Sequence, residues 1–337
     1  MTPKESLKNL GYDDDIIVKI LEWYNKSLPE TLNYYIEKAF NYFIKKGYTK
    51  DEIIKMTKKL PTLFGYSEET LNQKYQYFIE KGYTLEGIIK MTKILPTLFG
   101  LSEETLNNKY QYFINRGYTK DELIKMTKIF PTLFGLSEEN LNQKYQYFIK
   151  KGYTLEEIVK VTKIFPSLFG YSEENLNQRY QYFLEKGYTL EEIVKMTKTL
   201  PALFSYSEEN LNKKYQYFIE KGYTLEEIIK MTKTLLSLFS YSEENIEGKL
   251  SFYNDINLLF IAINDTKQLM QSVELSYARY MYFKEHGITI DESNYIRLFY
   301  DNKKFSKQYG ITKEELLERY KYDGEKRKKL WHQKNYF

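Results

Sequence analysis

The chain has no cysteine. That excludes a disulfide framework, a thiolate metal site and a cysteine nucleophile. Histidine is nearly as scarce: His286 and His332 are the only two in 337 residues, and they lie far apart. No run approaches the length of about 18 apolar residues that crosses a bilayer. The opening MTPKESLKNLGYDDDII lacks a signal-peptide core and is too acidic for an organellar presequence. We therefore expect an intracellular, cytoplasmic protein without membrane contact. An excess of one charge is missing as well, since 50 basic residues face 46 acidic ones for a formal +4. A repeated surface can still sort its charges by face. There is no glycine-rich phosphate loop, metal-spaced cluster or nucleophile motif. The expectation is a protein that is not an enzyme and uses no cofactor, metal or small-molecule substrate.

What the chain does have is one sentence written six times. Gly-Tyr-Thr begins at Gly47, Gly82, Gly117, Gly152, Gly187 and Gly222, always 35 residues apart. A fixed period of this length is the signature of stacked helical hairpins, a solenoid whose units bury their apolar faces only against one another. Such a surface suits a long partner better than a pocketed substrate.

The copy from Gly117 shows how a unit is built. Thr119 with Glu122 three residues later is a capping box. Leu123, Ile124, Thr127 and Phe130 fall at helical spacing and mark a buried stripe. Pro131 ends that helix, and Pro131 to Gly135 has room for a single 3₁₀-like turn. Ser137 caps a second helix, with Glu138 and Glu139 in its first turn. Leu141, Tyr145 and Phe148 form its apolar stripe, and Gly152 stops it.

The ends are degenerate copies. Gly11-Tyr12-Asp13 opens a shortened half-repeat, and after Gly222 the terminator becomes Leu236. Arg279-Tyr280-Met281-Tyr282-Phe283 aligns with Lys144-Tyr145-Gln146-Tyr147-Phe148. Gly287-Ile288-Thr289 aligns with Gly-Tyr-Thr, and a last match runs from Thr312 through Arg319-Tyr320-Lys321-Tyr322. The expected architecture is all-α: one solenoid of about eight units over residues 1–323, with a concave groove. Residues 1–46 and 250–323 would be its capping repeats, and 324–337 a basic tail carrying Lys326, Arg327, Lys328, Lys329 and Lys334 with Trp331.

The order Pro-x-Leu-Phe-Gly-x-Ser-x-x-x-Leu-x-x-Lys-Tyr-x-Tyr-Phe, then Gly-Tyr-Thr and an acidic-Ile helix, resembles the repeat of the mitochondrial transcription termination factor (mTERF) family over residues 11–322. That resemblance implies hairpins with a short 3₁₀ helix, wound into a superhelix with a basic groove for nucleic acid. It also favours double-stranded DNA over RNA, and a role in transcription or its termination.

Two basic rows are the candidate nucleic-acid-binding residues. Lys58, Lys93, Lys128, Lys163, Lys198 and Lys233 stand eleven residues after the glycine, with no acid three or four positions earlier. They suit either the helix dipole or phosphate contact. Lys74, Lys109, Lys144, Arg179, Lys214, Lys249, Arg279 and Arg319 form the most persistent row. They either snorkel along a neighbouring unit or bind phosphate, as the resemblance implies. A third row, Lys55, Lys90, Lys125, Lys160, Lys195 and Lys230, follows an acid by four residues and reads as a solvated face. Lys46, Lys81, Arg116, Lys151, Lys186 and Lys221 read as C-terminal dipole partners. Tyr75 and its equivalents read as core, while Gln76 and Asn72 with theirs read as a polar helix face. The alternative to a nucleic-acid binder is a protein-binding scaffold. The two separate on whether basic rows converge on one face or acids interleave there.

Overall fold

A computed structural model describes residues 2–25 and 28–323. The tail residues singled out above lie outside the described residues. The protein is 76% helical, with 19 α-helices and no strand among the described residues. No helix there is long and apolar enough to cross a membrane.

Each unit forms as its local chemistry dictates. The Thr119 hydroxyl accepts from the Glu122 N–H while the Glu122 carboxylate takes the Thr119 N–H, and helix Lys120–Ile129 follows. Pro131 opens a 3₁₀ turn, Pro131–Gly135. Ser137 then accepts from the Asn140 N–H and starts helix Glu138–Lys150. Gly152 leaves that helix at φ 98°, a left-handed conformation that costs glycine little.

The chain falls into two compact units, residues 1–178 and 179–337, although the 35-residue period runs through the dividing point. In the first, three helices, Pro3–Asn9, Asp14–Trp23 and Pro29–Lys46, precede the regular copies. Aromatic rings join successive copies. Phe134 packs on Tyr110 at 5.5 Å and on Phe78 at 6.0 Å between centroids. Full burial of such a ring contributes about 1.5–3 kcal/mol. A buried polar relay adds specificity: Tyr110 donates to Tyr83, Tyr83 meets the Thr127 hydroxyl at 2.6 Å, and Thr127 donates to the Leu123 carbonyl. Tyr145, Tyr118 and Thr162 repeat it.

In the second unit, Tyr215, Tyr188 and Thr232 form the same relay. Then the pattern breaks. Asn257 takes the glycine's left-handed place at φ 57°, and the helix after it shrinks to Ile261–Asn264. Leu250 stands 27 residues after Tyr223, where the relay needs a tyrosine, and the Tyr223 hydroxyl is buried without a partner. No threonine-capped helix follows Gly287; a 3₁₀ turn, Tyr295–Phe299, and helix Asn302–Tyr309 fill that stretch. The last helix, Lys313–Arg319, opens on a Thr312 capping box just after a left-handed Gly310. It is therefore a copy of the first helix of a hairpin, not the second.

Candidate nucleic-acid interface

The serine-capped helices carry the row expected to be the most persistent contact, and the structure places it inside. Lys74, Lys109, Lys144 and Lys249 are only 5–7% exposed. The ammonium groups of Lys74, Lys109 and Lys144 donate to the backbone carbonyls just before the following serine cap, Leu101, Leu136 and Tyr171, and that of Lys249 donates to Leu269 in the 3₁₀ turn Thr266–Met270. Lys214 makes the same bond to Tyr241. Burial pushes the four buried lysines below the usual ammonium range. Arg279 extends the theme at 1% exposure. It donates to the Leu298 and Tyr300 carbonyls and to Asn302, and burial lowers its guanidinium to about 10.

The phosphate-contact expectation for this row is corrected accordingly. Lys74, Lys109, Lys144, Lys214 and Arg279 are struts that tie one unit to the next, because a part-buried carbonyl left without a donor would cost free energy. Arg179 lies 3.8 Å from Glu208. Arg319 is not in the row at all: it ends the threonine-capped helix Lys313–Arg319 and pairs with Glu285.

The second candidate row is not unpaired either. Lys58 reaches Asp13 at 2.6 Å, Lys93 reaches Glu52 at 2.6 Å, Lys163 reaches Glu122 at 2.8 Å, and Lys233 reaches Glu192 at 2.6 Å. Lys198 is also engaged. The partners of Lys93, Lys163 and Lys233 sit 41 residues earlier, in the capping box of the preceding unit, so a search three or four residues back misses them. Each of these carboxyls is held below the usual carboxylate range, first by its lysine and then by the capped threonine N–H. Lys128 differs, because residue 87 is glycine. Among the described residues Lys128 makes no ion pair or hydrogen bond.

Of the four recurring basic rows, the one left exposed and largely unpaired is the row assigned to a solvated face. Lys55, Lys90 and Lys125 in the first unit are exposed and form no salt bridge among the described residues. Among the described residues Lys160 alone in this row makes the expected i,i+4 pair, with Glu156 at 2.8 Å. The helix-terminal row is half-buried over tyrosine rings. Lys81 lies 5.2 Å from the Tyr77 centroid and 5.3 Å from Tyr110, and Arg116 stacks 3.5 Å above Tyr112. Tyr75 and its equivalents are core, as the stripe predicts. Tyr77 is also buried, at 6%, and donates to Asn107. The asparagine row is thus occupied as acceptor, as Tyr112 to Asn142 and Tyr182 to Asn212 repeat.

Between successive serine-capped helices run shallow grooves. One of about 620 Å³ is lined by Glu69, Asn72, Gln73, Gln76, Tyr77, Glu80 and Glu103, with no cation. One of about 820 Å³ in the second unit sets Lys186 and Lys213 against Glu209, Glu220 and Glu243. Acids therefore interleave on this face. The same helices expose an aliphatic side chain per unit, Ile79, Ile114 and Ile149, as helix Pro29–Lys46 exposes Ile44. Among the described residues no group of three or more acidic, His or Cys side chains is placed to hold a metal.

A comparison with curated proteins returns no match. The mTERF family model matches residues 2–188 and 153–256, which together run over most of the repeat array. Hairpin units with an intervening 3₁₀ turn agree with that match over the regular copies, from helix Lys50–Lys59 onward. The chain belongs to the mTERF family, a family of nucleic-acid-binding helical-repeat proteins.

Proposed function

We propose that this protein binds double-stranded DNA through its phosphate backbone and acts in transcription or its termination, as a binder and not an enzyme. The observation that carries the reading, beside family membership, is the row Lys55, Lys90 and Lys125. It offers one exposed, unpaired ammonium per unit on the threonine-capped helices. Backbone contact of this kind is indifferent to sequence and steep in salt. The lysines of the two buried or paired rows contribute by holding the units in register. Anisotropy titration of labelled duplex DNA, single-stranded DNA and RNA over a salt series tests it. Duplex binding with a log–log slope of about −3 to −5, or about −0.9 per neutralised phosphate, is expected. No binding to any of the three at low salt refutes it.

A protein-binding scaffold is the second reading, and the grooves between serine-capped helices favour it. Their glutamates and exposed isoleucines suit a basic, partly apolar polypeptide better than a phosphate backbone. The same titration separates the two, since a scaffold alone binds none of the nucleic acids.

A further inference from the structure

In three described positions the array holds a carboxylate in the same way. Glu52 accepts the Thr49 N–H at 2.8 Å on one oxygen and Lys93 Nζ at 2.6 Å on the other. Glu122 accepts Thr119 N–H at 2.7 Å and Lys163 at 2.8 Å. Glu192 accepts Thr189 N–H at 2.8 Å and Lys233 at 2.6 Å. Both donors come from adjacent units, and both carboxylate oxygens are used. The unit that begins at Gly82 keeps both donors and lacks the acceptor. Gly87 occupies the glutamate position, the Thr84 hydroxyl still caps the Gly87 N–H, and no capping box closes over the Thr84 N–H. Lys128 folds into the space a side chain would take: its Cε lies 3.0 Å and its Nζ 3.8 Å from the Cβ position of residue 87.

We propose that Lys128 Nζ, with the Thr84 N–H beside it, is a phosphate-binding site, the one point in this lysine row where an external oxyanion replaces an internal carboxylate. The three sibling carboxylates are the stand-in ligands that show what the donors hold. A phosphodiester presents two anionic oxygens, as a carboxylate does, and matches one ammonium and one N–H donor. Cations flank the site, with Glu86 the exposed acid next to Gly87. Lys125 is exposed and unpaired on the same helix, Lys90 is likewise on the preceding one, and Glu52 and Glu122 are already committed to Lys93 and Lys163. Lys93 or Lys163 would have to abandon a carboxylate to reach a phosphate; Lys128 abandons nothing. The identity of the ligand as polynucleotide rests on the function proposed above. The site itself does not.

The test compares wild type with Gly87→Glu and Lys128→Gln in the full chain. Gly87→Glu restores the sibling pattern and fills the site from within; Lys128→Gln removes the ammonium. Thermal unfolding is followed in inorganic phosphate and in chloride at matched ionic strength. Labelled duplex DNA is titrated over a salt series. The expected result is a rise in midpoint with phosphate for wild type that both variants lose, and a log–log salt slope smaller by about one unit in both variants. Phosphate response in wild type alone, with no duplex bound by any protein, keeps the anion site and refutes the nucleic-acid reading. An equal phosphate response in all three proteins, or unchanged duplex binding with no phosphate response, overturns the site. Should Gly87→Glu fail to fold, Lys128→Gln carries the same two readouts.

Discussion

Lys109→Met asks whether the most persistent basic row serves the ligand or the fold. Methionine keeps most of the volume and the flexible stem and removes only the ammonium. In the structure Lys109 is 7% exposed and its ammonium lies 2.5 Å from the Leu136 carbonyl. A hydrogen bond from a charged donor contributes about 1.5–3 kcal/mol, and the carbonyl left behind is partly wetted, which keeps the loss toward the lower end. Against it stands the desolvation that pushes the Lys109 ammonium below its usual range, a cost that methionine does not bear. The net expectation is a loss of about 1–2 kcal/mol, placed at the interface between the units that begin at Gly82 and Gly117. Urea denaturation followed by circular dichroism should show a lower midpoint. Duplex affinity of the folded protein and its salt slope should not move, because the ammonium never faced the ligand. Unchanged stability together with weaker duplex binding and a slope reduced by about one unit would refute the strut and restore the row to the interface.

Other perturbations probe the same interlocks. Thr127→Val removes the middle of the relay between Tyr83 and the Leu123 carbonyl and should cost about 1–3 kcal/mol, read as a lower urea midpoint; a neutral result would mean the hydroxyl chain adds nothing. On the acid side, Glu52, Glu122 and Glu192 have depressed carboxyls in the fold, so their contribution is present above pH 4.5 and is lost as pH falls below it. Glu122→Gln should flatten that acid limb by about 0.2–1 kcal/mol, the range for a half-exposed pair. On the alkaline side, burial pushes Tyr48, Tyr83 and Tyr118 up to about 12. Their stabilisation is complete below pH 10 and lost as pH climbs through 12, so a late step of the tyrosinate absorbance, following that of exposed rings such as Tyr34, should coincide with loss of helix. Arg279→Met strips the Leu298 and Tyr300 carbonyls of a buried donor and should cost about 3 kcal/mol or more, seen as early unfolding of helical signal.

Hairpin boundaries were legible because each carries its own local chemistry: a threonine with its glutamate, a proline, a serine, a glycine. The buried stripes were legible because helical spacing alone decides which of Leu123, Tyr145 and Phe148 face inward. The fate of the lysines was not legible, since it depends on residues one unit away. A partner 41 residues back is near in space only after the hairpins stack. The carbonyl that Lys74 meets, Leu101 O, belongs to the backbone and leaves no mark in a pattern of side chains. Arg319 was misplaced for a related reason. Its Arg-Tyr-x-Tyr string imitates the serine-capped helix, whereas the Gly310-Ile311-Thr312 before it, with a capping box at Glu315, defines the other helix of the hairpin.

A stacked array turns the usual meaning of repetition around. Every unit must do the same thing to its neighbour, so a residue that recurs in each copy is the natural component of the stacking interface: Lys74 and its equivalents, Tyr83 with Thr127, Glu122 with Lys163. A ligand does not impose that uniformity. Departures from the period are therefore the better pointers. Leu250 and Asn257 mark where the regular array breaks off, and the relay fails there with Tyr223 left unpaired. Glu247 stands where earlier copies carry asparagine and draws Lys221 into an ion pair at 2.9 Å. Gly87 lies in the middle of the regular copies, where no cap explains it. There the loss of one carboxylate weakens a capping box and a strut together, a cost of about 1 kcal/mol or more from the glycine and the missing cap. It leaves a lysine and an N–H without the carboxylate that joins their counterparts in the sibling copies. A position that gives up stability inside an otherwise uniform repeat, and gains an uncompensated cation by doing so, is where a solenoid of this kind is expected to meet its anion.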